Sequence, residues 1–151
     1  MKTEEFLNKK NIIAVVGVSA DMEKWGYKIY KTLKEKFREV YAVNPRHAEI
    51  EGKRCYPDLR SLPEKPDVVI IVVPPKIAEK IVKTAKELGI RKIWMQPGSE
   101  SEEVIKFCEK NGIDSVYNAC FVMDGLNCLK GFGKSAGKNV KAPMVIKNKG
   151  D

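Results

Sequence analysis

At 151 residues, 43% hydrophobic and 32% charged, the chain is long enough for one domain with its own core, hiding roughly 70% of the surface its unfolded form exposes. The longest unbroken apolar run, 68–75, is far too short to cross a bilayer, and the opening MKTEEFLNKKN has no apolar signal-like stretch, so the reading is a cytoplasmic protein with no membrane partner. The net charge of +8 sits mostly at one end: residues 125–151 hold six lysines against Asp151, while 1–124 hold 22 basic against 19 acidic residues, so nucleic acid is not an expected partner.

Residues 1–124 are therefore read as one folded domain and 125–151 as a basic, flexible, solvated C-terminal tail. The four cysteines, Cys55, Cys108, Cys120 and Cys128, form no Cys-x-x-Cys pair, and His47 is the only histidine. Neither a metal site nor a disulfide framework is expected, and no nucleophile, base and orienter stand in a recognisable motif.

In chain order, apolar runs alternate with amphipathic segments, the pattern of βαβ units that close a parallel sheet. Residues 12–16 read as the first strand. Residues 27–37 read as a helix with Ile29, Leu33 and Phe37 stacked at i, i+4 spacing. Residues 40–43 form the second strand, stopped by Asn44-Pro45, and 45–67 are crowded with turn formers, with room for one short helix at Pro57-Asp58-Leu59. The third strand, 68–73, is apolar at every position, as a strand covered on both faces should be. After Pro74-Pro75, the residues Ile77, Ala78, Ile81, Val82, Ala85 and Leu88 trace one face of a helix that Gly89 closes. A fourth strand follows at 92–95, a helix at 100–111 and a fifth short strand at 115–117. The expected fold is α/β, a Rossmann-like doubly wound parallel sheet of about five strands with helices on both faces, ordered 3-2-1-4-5.

Ligands of such sheets bind beyond the carboxyl ends of the strands. Those ends are Gly17-Val18-Ser19, Asn44-Pro45-Arg46, Val73-Pro74-Pro75 and Gln96-Pro97-Gly98. A strand, a glycine turn and a helix N-terminus at Gly17 suit a phosphate, because a residue without Cβ lets backbone N–H groups approach an anion; the same glycine also suits an ordinary turn. A dinucleotide fingerprint is not met: G-x-G-x-x-G is missing, with only Gly17 and the distant Gly26, and the second strand ends on Asn44, Pro45, Arg46 and His47 where a ribose-binding carboxylate would stand. Arg46 suits a phosphate on the ribose, as in NADP or coenzyme A.

Taken together, IIAVVGVS, VYAVNPR, EIEGKRCYPDL, PDVVIIVVPP, GIRKIWMQPG and GIDSVYNAC resemble the stand-alone CoA-binding domain family, similar to the N-terminal domain of the succinyl-CoA synthetase α subunit. The resemblance spans about residues 11–124. It implies that Gly17, Val18 and Ser19 receive the pyrophosphate, that Asn44, Pro45 and Arg46 meet the adenosine 3′-phosphate side, and that Val73, Pro74 and Pro75 line the nucleotide cleft. Lys24 offers a further phosphate contact or solvated surface. Trp25 and Tyr27 either cover the adenine or staple the first helix. Gln96, with Gly98 beside it, either holds the pantetheine chain or satisfies loop backbone, and Cys120 is either a thiol near the ligand's sulfur or an inert buried one. Trp94 fills core or stacks on ligand. Many members have Ala where this chain has Val18, and often Asp-Arg-Cys where it has Asn118-Ala119-Cys120.

In the synthetase α subunit the phosphorylated histidine belongs to a second domain, and His47 lies in a different region. The reading is thus a module that binds coenzyme A or an acyl-CoA as a small-molecule ligand, with no catalytic residue and no metal assigned. The alternatives are an NADP-linked oxidoreductase or redox sensor, and a docking subunit of an acyl-CoA synthetase. A homodimer or a synthetase-type partner subunit stays open.

Overall fold

The computed structural model describes residues 3–126 and 144–146. The chain runs α1 (Thr3–Phe6), β1 (Ile12–Val16), α2 (Trp25–Lys34), β2 (Glu39–Val43), β3 (Glu49–Ile50), β4 (Lys53–Tyr56), a 3₁₀ turn (Leu59–Ser61), β5 (Val68–Ile71), α3 (Pro75–Glu87), β6 (Lys92–Met95), α4 (Glu102–Lys110), β7 (Asp114–Tyr117), a π-helical turn (Phe121–Gly125) and β8 (Met144–Ile146). The described strands form one sheet in the order β3-β4-β2-β1-β5-β6-β7-β8. The six from β4 to β7 in that row are parallel, and β3 and β8 add antiparallel edges.

The expected α/β doubly wound architecture is present, with one correction to its order. The 68–73 strand does not lie outside the second: β5 pairs directly with β1, from Ile13↔Val68 to Val16↔Ile71. The place beside β2 belongs to β4, which the sequence hides in the turn-rich stretch. Only Cys55 of its four residues is buried, and its register with β2 spans just Ala42↔Cys55 and Val43↔Tyr56, so no apolar run announces it. A two-residue turn, Glu51-Gly52, joins β3 to β4 with both φ angles positive (55° and 76°), the geometry whose twist matches a hairpin.

Alternation along each strand feeds two cores. Ile13 and Val15 of β1, Val68 and Ile70 of β5 and Trp94 of β6 pack with Ile29, Tyr30 and Leu33 of α2 on one face. Ala14, Val16, Val69, Ile71, Ile93 and Met95 pack with Ala78, Val82 and Ala85 of α3 and Val104 and Cys108 of α4 on the other. Complete burial of strand side chains at 1.5–3 kcal/mol each makes this double cover the main stabilising term. Trp94 takes the core reading: it is fully buried, its indole N–H donates to the Ala119 carbonyl at 2.8 Å, and its ring meets Phe121 edge-on at 4.9 Å.

The helices start and stop for local reasons. Ser101 caps α4 by accepting from the Val104 N–H at 3.2 Å, with Glu102 and Glu103 in the first turn. Pro75 opens α3, and the Gly89 and Ile90 N–H groups close it on the carbonyls of Lys86 and Ala85. The first crossover helix begins and ends earlier than its apolar stripe suggests, at Trp25–Lys34, and Phe37 packs from the following turn.

Within the stretch read as a tail, Met144–Ile146 forms β8 along β7, while its six lysines lie outside the described residues. No helix among the described residues is long and apolar enough to cross a membrane.

Candidate functional site

The sheet changes winding direction at β1, whose chain leaves toward β2 on one side while β5 pairs on the other. The crevice rule for open α/β sheets therefore points to the loops that follow β1 and β5.

Gly17 makes the first of these loops possible. Its φ is +105°, and a Cβ there would stand 2.4 Å from the Val72 carbonyl oxygen and 2.8 Å from a Val73 methyl, so only glycine lets the end of β1 pass the end of β5. Gly26, in the first turn of α2, is equally constrained: a Cβ there would lie 2.2 Å from the Gly17 carbonyl oxygen. The sequence reading set Gly26 aside as too distant, yet it presses the helix start against the strand end, as the last glycine of a dinucleotide fingerprint does, across a longer loop. The chemical result is a helix N-terminus aimed at the loop. Its first N–H groups have no intrahelical partner by construction, and the N-cap residue Lys24 supplies no side-chain cap.

The loop between the two glycines holds itself in shape. The Ser19 hydroxyl accepts from the Asp21 N–H at 3.0 Å, and the Asp21 carboxylate accepts from the Glu23 N–H at 2.9 Å. Ser19 thus keeps its own O–H proton available as a donor. Val18 lends the loop only its backbone, because its side chain is wholly buried in the α2-side core.

Hydrogen bonds draw the other strand ends to this loop. The Gly17 N–H donates to the Val43 carbonyl at 2.9 Å, and the Asn44 side-chain amide donates to the Val18 carbonyl at 2.8 Å. The other end of the Asn44 side chain accepts from the Arg46 N–H at 2.9 Å, which fixes the turn that presents Pro45 and Arg46, both exposed. The Val72 N–H reaches the Val16 carbonyl at 2.8 Å, placing half-buried Val73 and Pro75 and exposed Pro74 beside the first loop. The structure thus brings together Gly17, Val18, Ser19, Asn44, Pro45, Arg46, Val73, Pro74 and Pro75, with exposed Lys24 at the start of α2.

Gln96 and Cys120 are placed differently from the ligand-contacting alternative. Gln96 is 4% exposed, its amide N–H₂ donates to the Cys120 sulfur at 3.2 Å, and its carbonyl accepts from the Phe121 N–H at 2.7 Å. It satisfies loop backbone, tying the end of β6 to the turn after β7, and both side chains are enclosed. Gly98, at φ +96°, is exposed beyond them. Tyr27 is 5% exposed with a buried hydroxyl that has no hydrogen-bond partner among the described residues. Trp25 packs partly buried against the α2-side core, under the Lys28 ammonium at 5.5 Å.

Met22 in the first loop and Ile77 in the first turn of α3 are 64% and 47% exposed. Both belong to segments that follow the paired strands β1 and β5; periodicity passed over Met22 and put Ile77 on the apolar face of its helix, where at the first turn it stays exposed beyond the core. The thiols of Cys55, Cys108 and Cys120 are free and buried, and burial pushes Cys108 up to about 12, which makes it unreactive. No group of His, Cys, Asp and Glu side chains among the described residues is arranged to hold a metal ion.

Comparison with known proteins gives these positions a context. The sequence profile of the CoA binding domain family matches residues 11–125. The α subunit of acetate–CoA ligase (ADP-forming) II from Pyrococcus furiosus is 31% identical over 145 residues, covering 94% of this chain and 32% of the subunit. A conserved hypothetical protein from Pyrococcus furiosus shares 45% identity with a TM-score of 0.69, covering 73% of this chain and 95% of its own. A hypothetical protein from Pyrococcus horikoshii OT3 shares 31% identity with a TM-score of 0.78, covering 84% and 89%. The chain spans only 21% and 32% of the length of the first two curated relatives it matches.

Proposed function

The chain belongs to the CoA binding domain family, and on that premise we propose that it binds coenzyme A or an acyl-CoA across the carboxyl ends of β1, β2 and β5. One observation carries the reading: three strand ends converge on a glycine-walled helix N-terminus, and the second of them presents Arg46 where a nicotinamide dinucleotide site would present a carboxylate. The cradle that a Cβ at Gly17 or Gly26 would fill suits the close approach of a pyrophosphate.

In this reading the N–H groups at the start of α2 and the Ser19 hydroxyl take the pyrophosphate, with Lys24 as a flanking cation. Arg46 takes the 3′-phosphate through its planar fork of donors. Val73, Pro74 and Pro75 line the nucleotide, and Tyr27 offers its unpartnered hydroxyl. Met22 and Ile77 give the pantetheine arm an apolar rim, while Gln96 and Cys120 hold the β7 loop in place behind the site rather than touching ligand.

The chain acts here as a binding unit, without chemistry of its own, in association with a synthetase-type partner domain or subunit. The relatives named for acetate–CoA ligase support the association, since this chain corresponds to a minor part of their length. A cytoplasmic location belongs to the same reading and is in keeping with three buried free thiols.

Denaturing freshly purified protein and identifying what it releases by mass spectrometry tests the ligand class. Coenzyme A or an acyl-CoA near one equivalent is the expected result. Release of NADP would overturn the reading, as would an empty protein that takes up no coenzyme A at millimolar ligand.

A further inference from the structure

A pocket of about 350 Å³ opens on the outer side of β2, lined by residues of α2, β2, β4 and the turn between α2 and β2. None of these residues belongs to the strand-end site. Glu39, the first residue of β2, lies five residues and about 16 Å of extended chain from Asn44 where the strand-end loop begins, and the two regions adjoin at Tyr56, whose carbonyl accepts from the Asn44 N–H at 2.8 Å. The gap exists because β4 pairs with only the last two residues of β2 and then turns away to pair with β3. Glu39, Val40 and Tyr41 are left without a strand on that side, and the space falls between them and Lys53-Arg54.

Its chemistry is selective. Four cations, Lys34, Arg38, Lys53 and Arg54, line the pocket with one carboxylate, Glu39, while Glu64 and Glu51 stand beside Tyr41 and Tyr30, and none of the four cations is ion-paired among the described residues. Two of them rest instead on aromatic faces: the Lys34 ammonium lies 5.2 Å from the centre of the Tyr30 ring, and the Arg54 guanidinium 4.9 Å from that of Tyr56. Tyr41 meets Tyr56 edge-on at 5.7 Å, its hydroxyl held by the Glu64 carboxylate at 2.8 Å. Tyr30, 1% exposed, and Phe37 form a rigid floor. Burial, together with the nearby Cys55, Glu51 and Glu39, raises the Tyr30 phenol to about 12, so the floor stays uncharged.

We propose that this pocket is a second ligand site, separate from the strand-end loops, for a small anion that carries a flat ring. The four cations supply the attraction for phosphate or carboxylate, and the Arg54 plane and the Tyr41 and Tyr56 rings supply stacking and edge contacts for the ring. A volume of this size suits a single ring system with its anionic group rather than a peptide or a whole dinucleotide. Nucleoside monophosphates and aryl carboxylates share this chemistry.

The test is a titration of the full chain with AMP, salicylate and inorganic phosphate, followed by amide chemical shifts in NMR spectra and by calorimetry. With coenzyme A saturating the strand-end loops, AMP or salicylate should shift the signals of Lys34, Tyr41 and Lys53 saturably, and the tighter of the two names the source. Arg54→Glu, a change at an exposed side chain, should weaken that binding about tenfold or more. Phosphate binding as tightly as both ring-bearing anions would overturn the proposal, and so would shifts confined to the strand-end loops or binding indifferent to Arg54→Glu. Because the readout follows this pocket's own residues, its failure is distinguishable from failure to bind coenzyme A.

Discussion

Gln96 shows how one side chain can look like a ligand contact and serve as a tie. Its two amide ends are consumed within the fold, one on the Cys120 sulfur and one on the Phe121 N–H. Replacing it with leucine keeps the approximate volume and orphans a buried backbone donor, which costs about 1–3 kcal/mol. We expect Gln96→Leu to lower the thermal midpoint by about 2–8 °C, with a smaller effect on ligand affinity below the transition, as read by calorimetric titration. A large loss of affinity at unchanged stability would return Gln96 to the ligand. Sequence left both roles open because an amide just past a strand end is compatible with either, and only the partners decide. Gly17 and Asn44 were legible as the turn after β1 and the stop after β2, the structural places they take.

Among elements, α2 is set by a single contact. The Gly26 site lies so near the Gly17 carbonyl that a methyl group would overlap it at 2.2 Å, so Gly26→Ala must push the helix start off the strand end. The expected cost is about 1–3 kcal/mol in chemical denaturation, with weakened ligand binding because the helix N-terminus moves. Wild-type stability and affinity would contradict that role. The helices were readable from the i, i+4 spacing that faces Ala78, Val82 and Ala85 into one core, and the central strands from unbroken apolar runs. The short strands β3 and β4 were not. β4 buries a single residue and β3 has only two, so pairing with neighbours rather than their own pattern makes them strands. Missing β4 is what misplaced β5 in the expected order.

For the molecule as a whole, the doubly wound sheet explains why the proposed coenzyme A contacts gather at one end. Two cores cover its faces, so polar loops are free to vary only at the strand ends, and the three ends around β1 are laced together by backbone and Asn44 bonds. Fold class and the strand-end loops were therefore legible from sequence, while the β2-edge pocket was not. Its residues come from α2, β2 and β4, and no local pattern links them.

The most direct measurement is calorimetric titration of wild type and Arg46→Ala with coenzyme A, 3′-dephospho-coenzyme A and NADPH. Wild type should bind coenzyme A about tenfold more tightly than its dephospho form, a preference that Arg46→Ala abolishes, and should bind NADPH more weakly than either. Preferential binding of NADPH, or no binding of coenzyme A at millimolar concentration, would contradict the assignment of the strand-end site.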